Sequence, residues 1–212
     1  MKAWWPLVLV AALLAGCTSK VLVTIPPKID LQPYKTIGIV EFTSDETGRL
    51  NQFATQKFMN VVQASQPNVR FLEVAPADQV LITAVHQRVD PEVIKGWGAR
   101  YNVETLFTGV YEISSLKPQV TIGQDMASVK AGVTVTISLA LKHWDTRTGA
   151  IVWTNSRQGR WPVASVKKGA GHPVSVSVSD PTDRYPQFMA ELINVVADDF
   201  RTHYEWRPAP KP

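Results

Sequence analysis

The sequence predicts a single mixed-sheet α/β (α+β) domain flanked by helices, and three observations predict it. Val133, Val135, Ile137, Leu139 and Leu141 alternate with Thr134, Thr136, Ser138, Ala140 and Lys142, the period-two pattern of a strand with one buried face. Apolar residues recur at helical spacing in two places, at Leu50, Ala54, Phe58 and Val62 with Phe53 and Val61, and at Phe188, Leu192, Val195, Val196 and Phe200. Short β-branched runs alternate with these helical stretches, as in a sheet covered by helices. The 212 residues are 45% hydrophobic and 19% charged, enough apolar material for one core.

The chain begins "MKAWWPLVLVAALLAGC": one positive charge, Lys2, then an apolar run ending in small residues. That run is short of the roughly 20 apolar residues of a transmembrane helix and has the length of a secretory signal core. Leu14-Ala15-Gly16-Cys17 matches the bacterial lipobox, in which the cysteine sulfur receives diacylglycerol and cleavage falls between Gly16 and Cys17. Residues 1–16 are thus expected to be a lipoprotein signal peptide, with Cys17, the one cysteine of the chain, as the anchor to the membrane. Thr18 follows it where, by the sorting convention of enterobacterial lipoproteins, an aspartate retains the protein in the inner membrane. The expected location is therefore the periplasmic face of the outer membrane. Without residues 1–16, which hold one basic residue and no acidic one, the net charge falls from +4 to +3.

Residues 17–35 carry Pro26, Pro27 and Pro33 and read as an extended linker reaching at most roughly 60 Å. The domain is expected over residues 36–204. "TIGIVEFTS" (36–44) is a buried strand, the stripe from Leu50 a helix closed by Pro67, and "VRFLEV" (69–74) a second strand. Val80, Leu81, Ala84 and Val85 lie on one face of a further helix. Asp90 then caps a helix with Pro91 at its first position. "ETLFTGVYEIS" (104–114) is a strand. The alternating stretch meets turn residues "DTRTG" (145–149) and then "AIVWTNSRQ", which together predict a β-hairpin. A basic, glycine-containing loop, "SVKKGAGHP", leads to "VSVSVSD" and the last helix. Residues 205–212 read as a flexible proline-rich tail.

Chemistry is sparse. His86, His143, His172 and His203 are far apart, with no metal-type spacing, so neither a metal nor a cofactor is expected. There is no GxSxG and no P-loop. The glycines of "GWG" (96–98) follow a helix and not a strand. Asp198 and Asp199 are adjacent on a helix and point apart. Asp145 and Glu112 remain as carboxylates, but a hairpin turn recruits Asp for its own backbone. The chain is therefore expected not to be an enzyme. Scattered charge without aromatic interleaving argues against nucleic acid. Trp144 and Trp153 flank the hairpin turn, where cross-strand contact accounts for them; with Trp97 and Trp161 they would otherwise form a stacking platform for carbohydrate. The loop carrying Trp161, Lys167, Lys168 and His172 is the expected contact surface, with Arg157 and Arg160 nearby as a cluster for anionic groups.

Three stretches, "PPKIDLQPYKTIGIVEF", "YNVETLFTGVYEIS" and "LKHWDTRTGAIVW", resemble the α/β lipoprotein superfamily of the curli-secretion channel (CsgG-like), which shares its fold with the N-terminal domain of TolB and with lipoprotein activators of penicillin-binding proteins. The resemblance covers roughly residues 26–204. It implies a periplasmic α/β domain that binds an envelope protein or its own copies. Three functions compete: an interaction module in envelope assembly or transport, of which an activator of a peptidoglycan synthase is one specific version; an oligomeric secretion channel; and an enzyme whose site the sequence does not reveal. The channel demands hairpins with strands of about 9–11 residues. Residues 115–132 are too few for two such strands and a turn, and residues 159–180 offer alternating runs of six or seven. The activators carry a long disordered linker; this linker is short.

Overall fold

The computed structural model describes residues 20–44, 48–74, 90–114, 117–122, 129–167, 175–178 and 181–209. It divides into two units, Lys28–Arg201 and the terminal segments on either side of it. The signal peptide, Cys17 and the helix expected over 75–89 with His86 lie outside the described residues.

In the terminal unit, β1 (Lys20–Ile25) pairs antiparallel with β11 (His203–Pro208) over six residue pairs, from Lys20 opposite Pro208 to Ile25 opposite His203. Residues expected as linker and as tail are therefore paired strands here. The reason lies in their β-branched and aromatic content, Val21, Val23, Thr24 and Ile25 against Tyr204 and Trp206. Pro208, which has no amide to donate, closes the ladder at its end.

The larger unit is the expected mixed-sheet α/β domain. Its sheet runs β4 (Phe71–Val74), β2 (Ile37–Val40), β5 (Thr105–Ile113), β7 (Val129–Asp145), with β8 (Ile151–Pro162) on the far side of β7. The pairs of β2 with β4 and β5 are parallel; β7 is antiparallel to β5 and to β8. A two-residue strand, β3 (Thr43–Ser44), joins β5 in parallel. Strand β7 outruns β5, and its first residues pair with β6 (Lys117–Ile122); β9 (Ala164–Lys167) and β10 (Ser175–Val178) form a separate hairpin. All four residues of β2 are buried, as expected of a central strand covered on both faces.

Helix α1 (Asn51–Ser65) buries Ala54, Thr55, Phe58 and Val62. Helix α3 (Tyr185–Val196) buries Phe188, Met189, Leu192, Ile193 and Val196, and a 3₁₀ turn adds Ala197 and Phe200. Both helices pack into one core with Ile37, Ile39, Phe107, Tyr111 and the odd-numbered face of β7 from Val133 to Leu141. Two stripe assignments change. Val195 is 53% exposed and Phe53 is 37% exposed, because neighbouring helix positions are turned about 100° apart and Val196 and Ala54 take the inward places. Helix α2 (Pro91–Tyr101) covers one end of the opposite sheet face, with Ile94 and Trp97 against Val40, Val74, Leu106 and Trp144. It starts as the sequence predicts: the Asp90 carboxylate accepts the Glu92 amide hydrogen, and Pro91 sits in the first turn. Gly98 lies against Thr146, leaving no room for a β-carbon.

Candidate interaction surface

The groups that would do chemistry are engaged in structure. Asp145 accepts the amides of Arg147 and Thr148 at 2.8 and 2.9 Å. The Thr148 amide above all holds its carboxyl below the usual range. Gly149, at φ 73°, returns the chain against Pro91, so the turn is the Asp-Gly device its residues announce. His143 is buried, stacked on Phe107 at 4.3 Å, with Nε2 paired to the Thr105 hydroxyl. Burial pushes its pKa down to about 4, so it is neutral at physiological pH and shielded from any substrate. Glu112 is exposed on β5. Among the described residues no three metal-ligating side chains gather. A cavity of about 690 Å³ beside the end of α2 is lined by Tyr34, Lys95, Asn102, Glu104, Asp145, Thr146 and Arg147; within it the Asp145 carboxylate is held by its own turn and the Thr146 hydroxyl donates to the Val103 carbonyl.

The tryptophans do not form a platform. Trp97 and Trp144 are buried together under α2, and Trp144 donates its indole N–H to Thr108 at 3.0 Å. Trp153 lies on the other face, edge-on to Phe200 at 4.6 Å. The expected Trp144–Trp153 contact is absent because the ladder shifts between His143 and Trp144: Trp153 pairs with His143, and Trp144 with Ile151. Trp161 stacks on Phe188 at 4.8 Å and donates to Glu191 at 2.9 Å. It is thus packed onto α3. Lys167 ends β9, opposite Ser175; Lys168 and His172 lie outside the described residues. Arg157 and Arg160 are exposed on β8, pointing to opposite faces by their odd spacing.

A different surface emerges from the sheet. Beyond α2, its second face carries Val110 and Glu112 of β5, Thr136, Ser138 and Ala140 of β7, and Ser156, Gln158 and Arg160 of β8. These positions share a face by register: Ser138 lies opposite both Glu112 and Gln158, and Ala140 opposite both Val110 and Ser156. Two adjoining hollows of about 260 and 330 Å³ run along this face. Most of the side chains along its middle, on β7, are small, while Glu112, Gln158 and Arg160 give it charge and hydrogen-bonding groups. It is bounded by β8, twelve residues long and hydrogen-bonded along one edge only among the described residues. Such an edge presents a row of amides and carbonyls to any extended partner. The signal for this face was present in the sequence as the polar half of the β7 alternation. The register that aligns it with β8 was not, because it depends on the turn and the ladder shift.

No model of a protein family matches the chain, and no curated protein matches it. Among solved structures the chain is similar to the PelC dodecamer from Paraburkholderia phytofirmans (12% identity, 86% of this chain and 98% of that one, TM-score 0.41). It is also similar to the lipoprotein GNA1162 from Neisseria meningitidis (13% identity, 60% and 83%, TM-score 0.34) and to the LpoB C-terminal domain from Salmonella enterica (8% identity, 64% and 84%, TM-score 0.36). At such identities and TM-scores no function transfers from them to this chain.

Proposed function

We propose that the chain is a lipid-anchored protein of the periplasmic face of the outer membrane, held by Cys17, which binds an envelope protein or its own copies in envelope assembly or transport and catalyses nothing. The observation that carries the binding role is the exposed, largely polar sheet face beyond α2, bounded by β8, whose outer edge is unpaired among the described residues. The lipobox supports the anchor. Acyl chains on Cys17 suffice for stable attachment, since each buried methylene contributes about 0.8 kcal/mol. The test combines two variants in cells. Cys17→Ala is expected to release the protein into the soluble periplasm; retention in the membrane fraction overturns the anchor. A photo-crosslinking residue at Gln158 is expected to trap a discrete adduct, and its absence while a position on the far face of α1, such as the exposed Asn60, yields adducts overturns the assignment of the surface.

The channel is the second reading, and one observation favours it: both stretches that would insert do form hairpins, β6 with the start of β7 and β9 with β10. Their ladders of six and four pairs extend about 20 and 13 Å, well short of strands that cross a bilayer. Light scattering of the complex in mild detergent separates the readings, since a ring of many subunits supports the channel and a monomer or dimer removes it. The synthase activator loses further reach, because Lys20–Ile25 of its supposed linker is paired.

A further inference from the structure

We propose that the ribbon of β1 and β11 is a second membrane contact, laying Leu22, Tyr204 and Trp206 in the headgroup layer beside the anchor; this rests on the anchoring reading of Cys17. The register sorts the ribbon into two unlike faces. On one, Val21 is opposite Arg207, Val23 opposite Glu205 and Ile25 opposite His203, with Arg207 and Glu205 ion-paired at 2.9 Å. On the other lie Lys20, Leu22 and Thr24 opposite Pro208, Trp206 and Tyr204, a face without an acidic residue. It also carries the larger exposed apolar groups: Leu22 is 51% exposed, Trp206 63% and Tyr204 67%, against 41% for Val21 on the face of the ion pair. A two-stranded antiparallel ribbon is marginal in water by itself, and this one turns its largest apolar groups to the solvent.

Chain length names the occupant. Leu22 is five residues from Cys17, so it stays within roughly 18 Å of a lipidated sulfur. Trp206, directly across the ladder, is about 5 Å further at most. The ribbon of an anchored chain therefore cannot leave the neighbourhood of the bilayer surface. Tryptophan and tyrosine, with apolar rings and a polar N–H or O–H, are the side chains suited to that layer. Lys20, at the anchor-side end of the ribbon, meets the anionic phosphates there. The acyl chains already retain the protein, so the ribbon's contribution is orientation: the tether fixes a point and the aromatic face fixes an angle.

The test uses the mature lipidated protein in vesicles of phosphatidylethanolamine and phosphatidylglycerol containing phosphatidylcholine brominated at defined depth. The mature chain has Trp97, Trp144, Trp153, Trp161 and Trp206. The first two are buried and the next two pack onto the core, so Trp206 is the one placed to meet bromine. Bromine near the carbonyl end is expected to quench fluorescence more than bromine near the methyl terminus, and Trp206→Phe is expected to lose most of that quenching. Labelled fatty acid on Cys17 with no quenching, or with quenching unchanged in Trp206→Phe, overturns the inference and leaves the anchor standing. Trp206 unquenched inside a particle of two or more chains overturns it in favour of self-association. Absence of labelled fatty acid overturns the anchor, and the ribbon proposal with it.

Discussion

His143 continues the odd-numbered series of β7 beyond Leu141, so its inward position follows from the phase of the strand. Its neighbours are Phe107 on its face, Tyr34 edge-on at 6.0 Å and the Thr105 hydroxyl; Asp145 is the charge that opposes the effect of burial. With a folded pKa near 4 against 6.5, the unfolded chain binds the extra proton first. The stability this residue contributes is complete above pH 6.5 and is lost as pH falls toward 4, by about 1.4 kcal/mol per pH unit at the steepest. Urea unfolding at pH 7 and pH 5 should show that loss, and His143→Gln should flatten it. Gln66 was not legible as a core residue, since it stands where the helical periodicity of α1 ends, just before Pro67. It is fully buried: its side-chain oxygen accepts the Leu31 amide, and its side-chain nitrogen donates to the carbonyls of Ile29 and Phe200 at 2.9 and 3.0 Å. Gln66→Met takes the partner from two buried backbone groups and one half-buried one and should cost about 3 kcal/mol in denaturant unfolding.

At the scale of elements, the hairpin of β7 and β8 was legible because alternation and turn chemistry agree. The faces of β8 were not. The ladder shift beside Trp144 reverses the phase of everything before it relative to an unbroken count, and no residue type announces that shift. Gly159 shows what β8 needs on its core face. The Trp161 ring folds back over it and leaves no room for a β-carbon. Gly159→Val should push Trp161 off Phe188, and Trp161→Ala should remove the stack outright, each destabilising by about 2–3 kcal/mol. Near-ultraviolet circular dichroism should report the lost aromatic packing in both. Combining the two should cost little more than either alone, because they break the same contact.

For the whole molecule, the core lies within Lys28–Arg201. Deleting residues 202–212 should therefore leave the thermal unfolding of that unit unchanged. Ending the chain at Asp198 instead removes Phe200, which touches Phe58, Phe107 and Trp153, and should lower stability by about 3–5 kcal/mol. Calorimetry on the two truncations checks the pair of outcomes. The domain itself was legible from its strands and helix caps. The pairing of its two terminal segments was not, since prolines mark each as a linker when read alone, and only the partner 180 residues away supplies the hydrogen bonds.

The Gln66 clamp has a mechanical side. With the chain anchored at Cys17 as proposed, a pull along the tether would pass down β1 and through Pro26 and Pro27 to the first residues of the domain. Those residues are fastened at once: Lys28 to Asp199 at 2.9 Å, the Ile29 amide to the Asp199 carbonyl at 3.0 Å, and Ile29 and Leu31 to Gln66. Tension is thus handed to the helical layer, to α1 and the turn after α3, before it reaches β2. Strand β2 is loaded only after the fastening, so a tug on such a tether would strain the fastening while the sheet keeps its register.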